Sequence, residues 1–153
     1  MDHSQFEIWM KERKLFKLFF DGVSKGNLGV ARGGGIIISL EGNNEYEHYW
    51  NIGIDTNNMA EAYGLWKGIK KLESLVVEEP IVIGDSRLII QAMDGTSHGK
   101  SLILTKLIKI IQTISRTFRH LEFAHILREL NTKADQAANK AINLQTNDLY
   151  ANY

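Results

Sequence analysis

The stretch Lys17-Leu18-Phe19-Phe20-Asp21-Gly22 combines an apolar run with a single carboxylate and then a glycine. An apolar run of this length predicts a buried strand, which we place at residues 15–21. The glycine that follows allows backbone or a ligand to approach the carboxylate closely. The sequence therefore predicts a strand that delivers Asp21 to the rim of a sheet.

The segments that follow predict the order βββαβααβα. Residues 33–40 and the alternating residues 46–52 indicate two more strands, joined by a turn at 41–44. Apolar stripes with helical spacing predict helices over 62–76, 86–93, 104–118 and 131–144, and short apolar runs predict strands over 81–85 and 121–127. This order predicts an α/β fold with a mixed five-stranded sheet, three strands antiparallel and two parallel, flanked by helices on both faces.

The length of 153 residues fits one domain that buries about two thirds of its unfolded surface. We expect residues 15–145 to form this domain, residues 1–14 an N-terminal extension or linker, and residues 146–153 a C-terminal tail. The sequence has no Cys, which excludes disulfides, thiolate catalysis and thiolate metal sites.

Charge and hydropathy exclude further classes of protein. The chain has 18 basic residues (Lys and Arg) and 18 acidic residues (Asp and Glu), so its net charge is zero. This argues against a protein that binds nucleic acid through its overall charge alone. No apolar run approaches the roughly 20 residues of a membrane span, and the first residues lack a cleavable leader pattern. We expect a soluble intracellular protein, monomeric in isolation, with the compartment left open.

Four acidic residues, Asp21, Glu61, Asp85 and Asp135, are the candidates for a functional site. Asp21 and Asp85 follow apolar strands, and the carboxyl ends of such strands are where α/β sheets usually bind ligands. Glu61 and Asp135 lie near the starts of predicted helices. Carboxylates that converge repel one another unless a divalent cation compensates them, and oxygen ligands favour magnesium or manganese. Two such ions about 3.5–4 Å apart support in-line displacement at phosphorus.

Each acid also has a structural interpretation. Asp21 with Gly22 is typical of a turn. Residues 58–61 and 132–135 approximate capping boxes, and Asp85 is suitable as the N-cap of the helix that follows it. The sequence alone leaves these alternatives open for each acid taken singly.

Four segments, residues 20–27, 56–62, 84–86 and 128–139, resemble in order and spacing the signature segments of type 1 ribonuclease H. The resemblance covers about residues 15–145 and is nearest to the domains of plants and retroelement polyproteins. It implies an endonuclease that cleaves the RNA strand of an RNA/DNA hybrid to 5′-phosphate and 3′-hydroxyl products. It also implies that Asp21, Glu61, Asp85 and Asp135 bind two Mg²⁺ ions, for which Mn²⁺ can substitute.

The resemblance further implies a set of substrate contacts. Asn27, Asn57 and Asn58 match positions that contact the minor groove of the hybrid, where amides can bond to 2′-hydroxyls. Arg128 stands where many members have a His, and its cation would assist departure of the leaving group without transferring a proton. The remaining expected contacts are Gly22, Ser24, Ser86 and Arg87.

The sequence leaves two other functions open. One is a catalytically weak or silent binding or scaffold module attached to a reverse transcriptase in a longer polyprotein, although such modules usually lose at least one acid. The other is a nuclease of the same superfamily that acts on DNA.

Two groups of residues outside the four motifs are also conspicuous. One is basic and forms either a phosphate-contacting face or a solvated surface: Lys67, Lys70, Lys71, Arg87 and Lys100. The other is aromatic and is predicted to be core: Trp50, Tyr63, Trp66 and Phe118.

Overall fold

The computed structural model describes residues 1–95 and 101–152, and the side chain of Asn27 lies outside that description. The helices are α1 His3–Glu12, α2 Asn57–Ser74, α3 Arg87–Asp94, α4 Leu102–Ser115 and α5 Thr132–Lys140. The strands are β1 Lys17–Ser24, β2 Gly29–Ile38, β3 Glu45–Asp55, β4 Ile81–Gly84, β5 Glu122–His125 and β6 Leu149–Ala151.

The strands form one mixed sheet in the order β5-β4-β1-β2-β3-β6. Strands β1, β2 and β3 form an antiparallel meander, and β4 and β5 run parallel to β1. This confirms the predicted α/β fold with three antiparallel strands and two parallel ones.

The sixth strand corrects the predicted count of five. It lies in the segment expected to be a tail, where Leu149 pairs with Trp50 and Ala151 with His48. A three-residue strand has no periodic pattern of its own, so its formation depends on the edge that β3 offers. The Asn51 amide, which donates to the Asp148 carbonyl at 3.1 Å, helps to hold the segment there.

Strand β1 also continues beyond its predicted end at Asp21. Its pairing with β2 extends to Ser24, opposite Ala31, whereas its parallel pairing with β4 ends at Phe19, opposite Ile83. Asp21 is therefore inside a strand on one side and beyond the last paired residue on the other. This arrangement opens a space beside Asp21 at the carboxyl end of β4.

Two cores pack on opposite faces of the sheet because successive strand residues point to opposite sides. Leu18 and Phe20, both almost fully buried, face the helices α2, α3 and α4. Phe19 faces the other side, where α5 packs. Burying a side chain such as that of Phe20 contributes about 1.5–3 kcal/mol.

The N-terminal residues form helix α1, which packs against the sheet beside α5. The ring of Phe6 meets that of Phe19 edge-on at 6.2 Å. Lys17 is 4% exposed, and its ammonium group donates to the carbonyls of Arg13 and Leu15 at the end of α1. Within residues 1–95 and 101–152, no helix combines the length and hydropathy needed to span a bilayer.

Candidate active site

Three of the four acids meet at one edge of the sheet. One carboxylate oxygen each from Asp21, Glu61 and Asp85 lies within 4.8 Å of the others. Asp135 is outside this group of three but lies close enough for its negative charge to raise the pKa of Asp21. The fold thus brings four carboxyl groups from β1, α2, the end of β4 and α5 to one place.

Asp21 and Asp85 are neighbours because β1 and β4 are adjacent parallel strands. Glu61 reaches them because α2 crosses the sheet at very short range over Gly22. A Cβ atom at Gly22 would be 2.2 Å from the carbonyl carbon of Ala60 and from the amide nitrogen of Glu61. Only a residue without a side chain permits this approach, so Gly22 sets the position of Glu61.

Asn131 positions the start of α5 from the opposite face of the sheet. Its side chain is 1% exposed and donates from Nδ2 to the Phe20 carbonyl at 3.0 Å. The side chain also hydrogen-bonds to Asp85, and the main-chain carbonyl of Asn131 accepts from the main-chain amide of Asp135 at 3.1 Å. One buried residue therefore joins the three segments that carry Asp21, Asp85 and Asp135.

None of the four acids has the structural role that the sequence left open. Thr56 caps α2 by accepting from the Met59 amide, and Ser86 caps α3 by accepting from the Ile89 amide. Helix α5 begins after Asn131 without a side-chain cap. Asp21 lies in β1 and not in a turn. The carboxylates are therefore free of the usual capping and turn functions.

The surroundings of Asp21, Glu61 and Asp85 raise the pKa of each carboxyl group. Burial, followed by the negative charge of Asp85, raises the pKa of Asp21 to about 7, against the amide of Gly22 that donates to it. Burial and the charge of Asp21 raise the pKa of Glu61 to about 8. Burial also raises the pKa of Asp85, against the opposing effects of Asn131 and Arg128. A cation in their midst would relieve all three.

The cluster fits a hard divalent cation by its donor set and by one unsatisfied atom. Asp21, Glu61 and Asp85 offer carboxylate oxygens and no imidazole, and this donor set favours magnesium or manganese over softer metals. The Oε2 atom of Glu61 is buried and has no hydrogen-bond partner. A buried carboxylate oxygen without a partner is costly unless it binds an ion.

A cleft of about 270 Å³ is lined by the three clustered acids Asp21, Glu61 and Asp85, together with Gly22, Val23, Asn57 and Arg128. Arg128 is exposed in a short 3₁₀ turn, and its positive charge acts on both Glu61 and Asp85. His125 lies in β5, as expected, with Nε2 3.2 Å from the Asp85 carbonyl oxygen.

The two asparagines of the second motif have different surroundings. Asn57 lines the carboxylate cleft, and its Oδ1 accepts from the Ser24 amide at 2.6 Å. Asn58 is exposed and lines a neighbouring cleft between α2 and the start of α4.

The other predicted substrate contacts vary in their access to the cleft. Ser24 is 5% exposed, and its hydroxyl donates to the Asp55 carbonyl at 2.5 Å. The Ser86 hydroxyl, besides capping α3, hydrogen-bonds to Glu61. Arg87 is exposed at the first residue of α3 and is not among the residues that line the cleft. Asn27 lies in a 3₁₀ turn, and its side chain, like the whole of Lys100, is outside the described structure.

Asn131 is the functional candidate that sequence reasoning missed, because it entered the fourth motif only as part of the approach to Asp135. A polar residue directly before a helix is typical of an N-cap. Its burial between strand and helix depends on tertiary packing, which the sequence does not display. The only available signal was its place between two motif residues.

Residues 19–141 match the family model described as reverse transcriptase-like. The chain belongs to the reverse transcriptase-like family. The match begins at Phe19, within β1, and ends at Ala141, just after α5, so it contains all four acids. Helix α1 and strand β6 lie outside the matched residues.

Two curated relatives of this reverse transcriptase-like chain are similar over most of its length. The bifunctional protein Rv2228c of Mycobacterium tuberculosis is 34% identical over 123 residues, which are 80% of this chain and 34% of that protein. Ribonuclease HI of Halobacterium salinarum is 28% identical over 124 residues, 81% of this chain and 62% of that protein. The chain thus matches about a third of the length of the mycobacterial relative.

Solved structures give the same result. The N-terminal RNase H domain of the mycobacterial protein, fused to maltose-binding protein, superposes with a TM-score of 0.80 at 32% identity, covering 84% of this chain and 98% of that one. LC11-RNase H1, isolated from compost, was solved in complex with an RNA/DNA hybrid. It superposes with a TM-score of 0.74 at 33% identity, covering 84% of this chain and 96% of that one. The fold is therefore RNase H-like.

Proposed function

We propose that this chain is a metal-dependent ribonuclease H that hydrolyses the RNA strand of RNA/DNA hybrids. The observation that carries the proposal is the cluster of Asp21, Glu61 and Asp85 within 4.8 Å, with Asp135 near enough to act electrostatically on Asp21. The relatives named as ribonuclease H and the neighbour bound to a hybrid support the same substrate class.

The four carboxylates are the groups that would hold the metal. Asp21, Glu61, Asp85 and Asp135 would bind two Mg²⁺ ions, with Mn²⁺ as a substitute, and the bound metal would supply water activation and stabilisation of the leaving oxygen. Ser86 fixes the Glu61 side chain by a hydrogen bond, and Asn131 fixes Asp85. These contacts hold the donors in place before substrate binds, which is how a rigid site lowers a reaction barrier.

The remaining cleft residues bind and orient the substrate. Asn57 contacts the minor groove of the hybrid, where its amide selects the 2′-hydroxyl of RNA. Cleavage adds water to the phosphorus and breaks its bond to the 3′ oxygen, leaving a 5′-phosphate and a 3′-hydroxyl. Arg128 stabilises the negative charge of the departing group, since a guanidinium does not give up its proton.

The test is a cleavage panel at low salt with Mg²⁺ or Mn²⁺, using labelled RNA/DNA hybrid, RNA duplex, DNA duplex and single-stranded RNA. We expect the wild type to cut the RNA strand of the hybrid alone. Asp85→Asn should abolish cutting, whereas the matched control Asp148→Asn, at an exposed position away from the cleft, should not. A folded wild type that cuts nothing with either metal would contradict the proposal and favour a binding module.

A further inference from the structure

A second surface of the molecule combines aromatic rings with unneutralised positive charge. On the outer side of α2 and β3, the ring centroid of Trp50 is 5.0 Å from that of Tyr63 and 6.2 Å from that of Trp66. All three rings are half-buried, so the expectation that they belong to the core holds only in part, whereas Phe118 is buried. We call these rings, with Lys67 and Lys70, the basic-aromatic surface.

The two lysines rest on the indole rings. Lys67 Nζ is 5.0 Å from the ring centroids of both Trp50 and Trp66, and Lys70 Nζ is 5.2 Å from that of Trp66. Contacts of this kind attract the ammonium group to the ring face and restrict its motion. Two positive charges are therefore held close together over one tryptophan.

These charges lack acidic partners in the part of the chain that the structure describes. Lys133 and Lys140 pair with Glu45 and Glu47, but neither Lys67 nor Lys70 forms an ion pair there. Burial, followed by the positive charge of Lys70, lowers the pKa of Lys67. An anion bound between the two ammonium groups would remove their repulsion.

The position of this surface relative to the carboxylates restricts what can bind to it. Lys67 and Lys70 follow Glu61 by six and nine residues, which places them about 9 and 14 Å further along α2. At 3.6 residues per turn, they also point away from the Glu61 side of the helix. A duplex seated in the cleft is too stiff to bend around α2, whereas a single strand can follow it.

We propose that the basic-aromatic surface binds the phosphodiester backbone of a single-stranded extension of the nucleic acid whose hybrid part occupies the carboxylate cleft. The inference rests on the proposed function for the position of the hybrid. Lysines beside aromatic rings are typical of surfaces that bind single strands without sequence preference. Because lysine side chains cover the indole faces, the contact is with phosphates and not through stacked bases.

The test measures binding by fluorescence anisotropy in the Asp85→Asn background, with blunt hybrids and with hybrids that carry a single-stranded DNA extension at either end. Lys67→Met/Lys70→Met removes both charges and keeps apolar stems against the indoles. Lys67→Arg/Lys70→Arg keeps the charges. Lys11→Met/Lys14→Met is the matched control, because these exposed lysines lie outside the family match.

We expect a single-stranded extension on at least one end of the hybrid to increase affinity several-fold. Lys67→Met/Lys70→Met should remove that gain in affinity. The salt dependence of binding to the extended substrate should fall by about 1.4 in log–log slope, for two phosphates at about 0.7 each. The arginine pair and the Lys11/Lys14 control should keep the gain.

Equal loss of affinity for blunt and extended hybrids, or no loss beyond that of the Lys11/Lys14 control, would overturn the inference. Thermal melts of every variant show whether each protein is folded. Cleavage of the blunt hybrid by the wild type, measured in parallel, reports on the proposed function alone. Failure of that function is thereby distinguishable from failure of the single-strand contact.

Discussion

Gly22→Ala tests how closely the site depends on the approach of α2 to β1. The added Cβ would lie 2.2 Å from backbone atoms of Ala60 and Glu61, which falls short of an ordinary contact of 3.4 Å by 1.2 Å. Both partners are backbone, so no side chain can rotate away. The start of α2 must therefore shift by about 1 Å, and Glu61 must move with it.

A shift of about 1 Å in a catalytic group costs on the order of 100-fold in rate, and overpacking a core costs about 1–3 kcal/mol. We expect Gly22→Ala to lower kcat on RNA/DNA hybrid by roughly 100-fold. The melting temperature should also fall, by about 2–4 °C for each kcal/mol lost in a chain of this size.

Gly42→Ala serves as the control, because Gly42 has a φ of 75° and nothing near its missing side chain. That variant is strained at its own turn but leaves Glu61 in place. It should lose stability and keep its kcat well below its melting temperature. A Gly22→Ala enzyme with kcat within about threefold of the wild type would refute the proposed positioning of Glu61.

Three further predictions concern buried groups. His48 is fully buried, and burial lowers its pKa from 6.5 to about 4, so its contribution to stability is complete above pH 6.5 and is lost as pH falls toward 4. The free energies of unfolding of the wild type and His48→Gln, measured with denaturant, should diverge by up to about 3 kcal/mol over that pH range. A difference that does not change with pH would contradict this. Asn131→Asp places a second carboxylate against Asp85 and the Phe20 carbonyl, so it should lower the free energy of unfolding by about 1–3 kcal/mol. The variant should also reduce kcat more than KM. An unchanged kcat would contradict a positioning role for Asn131. Because the pKa values of Asp21 and Glu61 are raised, the stability of the metal-free protein should fall from pH 6.5 to 8. Mg²⁺ should therefore raise the melting temperature more at pH 8 than at pH 6.5. A Mg²⁺-induced rise in melting temperature that is independent of pH would argue against metal binding by these groups.

Much of the fold could be predicted because its determinants are local. The apolar residues of β4 and the apolar stripe of α2 give periodic signals that specify a buried strand and an amphipathic helix. The apolar run stops at Asp85, and this residue directly follows the end of β4 at Gly84. The meeting of Asp21 with Asp85 then follows from the pairing of adjacent parallel strands.

Features that depend on long-range packing could not be predicted. Strand β6 exists only because β3 offers it a free edge, and the continuation of β1 to Ser24 depends on its pairing with β2. The burial of Asn131 and the separation of Asn57 from Asn58 into two clefts are likewise set by how helices sit on the sheet. Residue type and spacing carry no direct record of these contacts.

The most direct test of the central claim is end analysis of the RNA products from a labelled hybrid, with the wild type and with Asp21→Asn, Glu61→Gln, Asp85→Asn and Asp135→Asn. We predict 5′-phosphate and 3′-hydroxyl ends that form only with Mg²⁺ or Mn²⁺, and loss of cutting in each carboxylate variant. Cutting that persists in a metal chelator, or that survives in the Asp85→Asn protein, would contradict the account of a carboxylate-held metal centre.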